Sequence, residues 1–353
     1  MKTAVIVVPG FGCREIGRGV EILKMCLLNG LGKSVASEGE DCRTAGLTGT
    51  QIIVKVDGEA VDVDLFEAFW GDLIPNLAGE SSPLRKVFMG ARVLWYWIVS
   101  RVWSELRGNK YLIGGMIGSS LLILAWYVGV VPAAVAAFVA QIDPESQSGV
   151  LKQASELAGG IQKLWWFAAI VSLLVVMLPV HQVVDLANFT MVYLRDLPAT
   201  PGSESLRHRI HNRVEGVVRA IAEDPAYDKV LVASHSFGTM VAIDLMSRIN
   251  LGSQTVGMLT IASPARVLAA RDHRLARQVL RPPLPDAVRF WVDVHSGKDW
   301  LCSAVPMPDG TPGFESRLVN LPVTTLDSVT GDSNTAYFRD ETVARIILET
   351  IMR

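Results

Sequence analysis

Neither sign of charge is in excess in this sequence. Its 33 Lys and Arg and 35 Asp and Glu leave a net charge of −2 over 353 residues. There is no basic field of the kind that attracts nucleic acid, and no nucleic-acid partner is expected. Cysteine is scarce as well. The four present (Cys13, Cys26, Cys42 and Cys302) form no C-x-x-C pair and no cluster with histidine. That argues against a disulfide framework and for free thiols in a reducing compartment. No internal repeat or low-complexity tract stands out. A secretory leader is not expected: the apolar run after Met1-Lys2, "TAVIVV", stops at Pro9-Gly10 and reads better as a buried strand.

What the chain has in quantity is apolar sequence. Half its residues are hydrophobic and its mean hydropathy is +0.33, which points to membrane segments. Residues 111–140 carry no charge and exceed the roughly 20 apolar residues a spanning helix needs. Residues 164–180 form a second apolar run, with Trp165 and Trp166 as interface anchors. Between them, 141–160 is polar and slightly acidic, whereas the segment before is basic (Arg101, Arg107, Lys110). The expectation is therefore a transmembrane helical hairpin over 107–186, with both flanking portions in the cytoplasm at a membrane, most simply a bacterial inner membrane. Residues 84–106 mix arginines with Trp95, Tyr96, Trp97 and Trp103 and suit an interfacial helix. Gly114, Gly115, Gly118, Ser119 and Ser120 suit close helix packing, within one chain in preference to a homo-oligomer.

Around this hairpin the pattern alternates strand and helix. Strands are expected over 3–8, 189–194, 229–234, 255–263, 287–295 and 322–328, and a hairpin over 50–66 around Asp57-Gly58. Helices are expected over 19–31, 203–222, 237–249 and 335–352. The fold class is α/β, a mostly parallel sheet with helices on both faces. Its first part is 1–106 and its second 187–353.

Chemistry concentrates at Ser234-His235-Ser236-Phe237-Gly238. An apolar strand leads into it and a helical pattern, "TMVAIDLM", follows. Small-x-Ser-x-Gly in that setting fits a nucleophile elbow, a turn so tight that only small residues fit two before and two after the serine. It lifts the Ser236 hydroxyl to a helix N-terminus, where the dipole favours a developing anion. The Phe237 N–H would be one oxyanion donor. The glycines of "VIVVPGFG" let a backbone approach closely, and Phe11 N–H is the candidate second donor.

On "VVPGFG", "EAFWGDL", "VLVASHSFGTMVAIDLM" and "FWVDVHSGKDWLCSAV", the chain resembles the α/β-hydrolase superfamily. More narrowly it resembles bacterial lipase- or esterase-like members with a transmembrane insertion. The resemblance implies an acid after a late strand, Asp299, with Asp293 a weaker candidate inside the strand. It also implies a histidine before the last helix. No histidine follows Asp299, and Asn334 stands where that base is expected. Asparagine cannot take a proton from a serine hydroxyl. Three explanations stay open: a replaced histidine in an inactivated variant, a natural non-cleaving relative, or another base. His295 precedes the Asp299 loop. His235 should point into sheet packing. His208 and His211 suit a solvated or headgroup-facing patch, and His181 an interface.

The expected function is a membrane-anchored serine hydrolase, lipase-, phospholipase- or esterase-like, acting on a lipid or other acyl ester. No metal or organic cofactor is implied. The alternatives are a non-catalytic hydrolase-like protein that binds a lipid or a partner, and an oligomeric membrane effector.

Overall fold

A computed structural model gives the architecture and describes residues 2–32, 35–56, 59–75, 83–98, 117, 121, 124, 180–198, 202–272, 274–299, 302–324 and 333–353. The chain divides into two units, one of Met1–Ile74, Arg101–Gly114 and Thr200–Arg353, the other of Pro75–Ser100 and Gly115–Ala199.

The first unit is an α/β fold around an eight-stranded, mostly parallel sheet. Its strands are β1 (Lys2–Val8), β2 (Ala36–Thr44), β3 (Leu47–Val56), β4 (Glu59–Glu67), β5 (Lys229–His235), β6 (Val256–Ile261), β7 (Val288–Ser296) and β8 (Phe314–Val319). They lie in the order β2-β3-β4-β1-β5-β6-β7-β8. From β4 to β8 every pairing is parallel, while β2-β3 and β3-β4 are antiparallel. Central strands of a parallel sheet are covered on both faces, so they read as unbroken apolar runs. β1 is buried along almost its whole length, and β6 is buried throughout.

Alternation along β1 sends Val5 and Val7 into a core cluster with Leu23 and Leu27 of helix α1 (Arg18–Leu31) and Ile347 and Ile351 of the last helix (Glu341–Met352). The alternate residues Ala4, Ile6 and Val8, also fully buried, face the other side. There the sheet meets helices α4 (Leu206–Ala222) and α5 (Phe237–Met246). One buried carboxylate ties these two helices together. Asp244 of α5 receives Arg207 Nε at 2.6 Å, Arg274 Nη2 at 2.6 Å, Arg248 Nη2 at 3.1 Å and His211 Nε2 at 3.1 Å. Burial lowers the pKa of His211, so it is neutral at pH 7. His211 is thus a buried member of this cluster, unlike the solvated patch expected, whereas His208 is exposed and faces Glu204.

Among the described residues of the second unit are α2 (Pro83–Ile98) and α3 (Val180–Leu194). Val93, Tyr96 and Trp97 are buried, and Trp97 Nε1 donates to the Ala187 carbonyl at 3.1 Å. α2 thus packs on α3 through this face, while Phe88 and Trp95 stay exposed; residues 99–106 of the expected interfacial helix lie outside the described residues.

The membrane expectation is overturned. Among the described residues no helix is long and apolar enough to cross a membrane. α2 has 16 residues and spans about 24 Å at 1.5 Å per residue, short of a hydrocarbon core of about 30 Å. It also carries Arg85, Lys86 and Arg92. α3 holds Asp185, Asn188 and Thr190 in buried positions. The runs 111–140 and 164–180 lie outside the described residues apart from Ile117, Leu121 and Leu124. The transmembrane hairpin, the membrane location and the inner-membrane assignment thus have no support and are withdrawn.

Two smaller expectations differ, and one strand was not foreseen. Residues 189–194 lie in α3, not in a strand: a short apolar run suits a buried helix equally, and Thr190 Oγ1 bonds back to the Leu186 carbonyl at 2.7 Å as a helical threonine does. The last strand is Phe314–Val319, upstream of the expected 322–328, of which 322–324 is irregular and the rest lies outside the described residues. β2 carries no apolar pattern, because it is a charged edge strand that discourages further pairing. The hairpin is present as β3 and β4, while Asp57-Gly58 at its tip lies outside the described residues.

Candidate functional site

Chain order makes the site. β1 is followed by strands that lie to one side of it, and β5 then pairs on its other side. In an open α/β sheet the crevice at such a reversal, at the carboxyl ends of the strands, is where ligands bind. Val8 is in register with Ser234, so the loop Pro9–Cys13 and the turn at Ser236 leave the sheet side by side.

Ser236 sits between β5 and α5 with φ 52° and ψ −129°, a left-handed conformation that non-glycine residues rarely hold. Its N–H donates to the Ile261 carbonyl at 3.0 Å, and its carbonyl accepts from Thr239 N at 3.0 Å and Thr239 Oγ1 at 2.7 Å. Its side chain makes no capping bond to the helix, so this is not a serine that merely ends a helix. Steric room dictates the neighbours. A Cβ on Gly238 would lie 2.4 Å from the carbonyl oxygens of Val8 and Pro9, and one on Gly10 would lie 2.9 Å from Ser236 Cβ. Ser234 is buried and donates to the Leu259 carbonyl at 3.1 Å. The tight strand-turn-helix expected of residues 234–238 is present.

Over the serine lies a cavity of about 220 Å³. Its lining includes Gly10, Gly12, Cys13, Arg18, Ser236 and Asn334, with apolar walls from residues such as Ile22, Leu23 and Phe338. Phe11 is flanked by two lining glycines, and its ring lies under the Arg14 guanidinium, 5.1 Å from the centroid. The Phe237 ring is buried against Trp70, whose Nε1 donates to the Pro9 carbonyl at 3.0 Å and pins the loop after β1. Phe237 is the first residue of α5, so its main-chain N–H belongs to the positive end of the helix.

Asn334 lies in the helical turn Ser333–Ala336 and faces the same cavity. Asp299 is buried in the turn after β7 and does not line the cavity. The two are linked through Cys302: Asn334 Nδ2 donates to its sulfur at 3.5 Å, and its thiol bonds to the Asp299 carboxylate. Burial first, and that carboxylate second, push the thiol well above its ordinary pKa, so Cys302 is protonated. Burial likewise raises the Cys13 thiol to about 11, which removes it as a nucleophile beside Ser236 at neutral pH.

The other candidates separate cleanly. Asp293 is committed to structure: its carboxylate accepts from Thr260 Oγ1 at 2.7 Å and from Val305 N at 2.9 Å. His295 lies 3.3 Å from Ser316 Oγ and outside the cavity lining. His235 does line the cavity. Its Nε2 donates to the Asn334 carbonyl at 2.8 Å, its ring meets Phe338 edge-on at 4.8 Å, and desolvation lowers its pKa to about 4. Sequence reasoning missed Cys302 as the link between positions 299 and 334, and it missed Arg18 and Cys13 as lining residues. "DWLC" places Cys302 three residues after Asp299 in the sequence, but nothing in the sequence ties either to 334. Among the described residues no group of three or more His, Cys, Asp and Glu forms a metal site.

A comparison with known proteins finds no family model that matches this chain, and no curated protein or solved structure that is significantly similar to it.

Proposed function

We propose that the cavity over Ser236 is an acyl-ester site of the serine-hydrolase kind, in a chain related in plan to the α/β hydrolases. The observation that carries this is the conjunction of a strained serine at 236 with a cavity above it. A residue held at positive φ between a strand and a helix is unfavourable by about 1–3 kcal/mol, and such strain persists where a side chain must be presented in one direction.

In this reading Ser236 Oγ forms a bond to the ester carbonyl carbon as its proton passes to a base. The carbonyl electron pair moves onto oxygen and is held by the main-chain N–H groups of Phe11 and Phe237. Collapse expels the alcohol, which takes the proton back, and water repeats the sequence to release the acid. Asp299 would orient a base at position 334. Asn334 accepts no proton at neutral pH, so this chain binds the ester and turns it over slowly. That same residue favours a second reading, a hydrolase-like protein that binds its ligand without cleaving it.

Labelling by an alkyl fluorophosphonate separates the two. Asn334→His should raise the rate of Ser236 modification about 10²-fold or more, the usual contribution of a positioned general base. Intact mass should show one adduct, absent in Ser236→Ala. A folded Asn334→His chain that labels no faster than Ser236→Ala overturns the assignment.

A further inference from the structure

Among the described residues, Arg18 is a cation that lines the Ser236 cavity and has no assigned task. Among the described lining residues Arg18 is the only side chain of full charge, since His235 is held neutral. It is the first residue of α1 and remains exposed, at the mouth of the cavity. Among the described residues no carboxylate pairs with it. The acidic residue that closes the start of α1 is Glu67, and its oxygens are taken by the amides of Gly17 and Gly19, the latter at 2.6 Å. The helix N-terminus is thereby already met by a carboxylate, and among the described residues none is left for the Arg18 guanidinium. Around it the walls are apolar: Val7, Ile22, Leu23, Ala233, Ile261 and Phe338.

We propose that Arg18 reads an anionic group on the ligand, so that the cavity takes esters of short acids whose far end is an ionised carboxylate. The inference rests on the acyl-ester reading of Ser236 and adds its substrate class. A volume of about 220 Å³ corresponds to about seven waters of liquid, which suits an acyl group of a few carbons. A guanidinium gives a carboxylate a forked, charge-assisted pair of hydrogen bonds, while the apolar walls hold the methylenes between the two ends.

Calorimetric titration of the full chain carrying Ser236→Ala, with monomethyl glutarate and with methyl pentanoate, tests this. Monomethyl glutarate should bind about tenfold more tightly, the weight of one hydrogen bond to a charged group. Adding Arg18→Ala should abolish the difference, and Arg18→Lys should keep part of it. Arg18 is exposed, so both variants should fold, and circular dichroism checks that they do. A preference that survives Arg18→Ala overturns the proposal, as does equal binding of the two esters or binding of neither. The acyl-ester reading stands or falls separately, on fluorophosphonate labelling of Asn334→His.

Discussion

Replacing Ser236 by glycine should make the protein more stable. The native residue holds φ 52° and ψ −129°, where a Cβ clashes with its own backbone, at a cost of about 1–3 kcal/mol. Glycine removes that clash but adds about 0.5–1 kcal/mol of unfolded-chain entropy relative to alanine. The net gain is therefore about 1 kcal/mol. Alanine is the control, because it deletes the hydroxyl and keeps the strained backbone. Since the serine makes no capping bond, alanine should stay within about 0.5 kcal/mol of the native chain. The glycine variant should then lie about 1 kcal/mol above the alanine variant, or about 2–4 °C in Tm. Urea unfolding followed by circular dichroism, with slopes compared to confirm a common transition, measures the difference. A glycine variant equal to or less stable than alanine would mean that the turn stores no strain, and the argument that Ser236 is held for its chemistry would lose its footing.

Gly238→Ala should act in the opposite sense: its Cβ would meet two carbonyl oxygens at 2.4 Å, destabilising by about 1–3 kcal/mol or more, and urea midpoints will show it. Asp244→Asn would leave Arg207, Arg248 and Arg274 without their shared carboxylate, and the loss should be about 3–5 kcal/mol by the same measurement. His235 gives a pH signature. Its folded pKa of about 4 lies below the ordinary imidazole value of 6.5, so the unfolded chain binds the extra proton and stability falls as pH drops from 6.5 toward 4. The fall should be about 2 kcal/mol once partial exposure is allowed for. His235→Gln should flatten that part of the stability curve. A residual slope of the same sign is expected from His211, whose pKa is lowered in the same direction by burial.

The parts of the fold that were legible in the sequence are those in which local pattern and burial agree. β1, β5, β6 and β7 are apolar runs ended by turn residues, and all four are strands. The turn at 234–238 was legible because sterics restrict it: only glycine fits 2.4 Å from two carbonyl oxygens. β2 was invisible because its residues face solvent at an edge and obey no apolar period. Residues 189–194 misled because β-branched and aromatic side chains fill a buried helix as well as a strand. The membrane reading failed for a different reason. Hydropathy measures how apolar a segment is and not what faces it, and among the described residues no helix is long and apolar enough to cross a membrane.

The contacts of position 334 were beyond the sequence because they join three segments far apart in the chain. His235 from β5, Asn334 from the turn before the last helix and Cys302 from the loop after β7 meet there. Asn334 is held at both ends, its carbonyl by the His235 ring and its amide against the Cys302 sulfur. The Asp299 carboxylate stands behind that sulfur, buried and bonded to a protonated thiol. A buried carboxylate is costly unless it is hydrogen-bonded, and Cys302 meets that need with a weak donor. An imidazole at 334 would set an N–H against the same sulfur and turn its other nitrogen toward the cavity. On the acyl-ester reading that one substitution would supply the base, while Cys302 keeps its bond to Asp299. It follows that Asn334→His should not destabilise the fold even as it raises the reactivity of Ser236. If it destabilises the chain by more than about 1 kcal/mol, a scale set by ordinary substitutions, position 334 is shaped for asparagine and the binding-only reading gains.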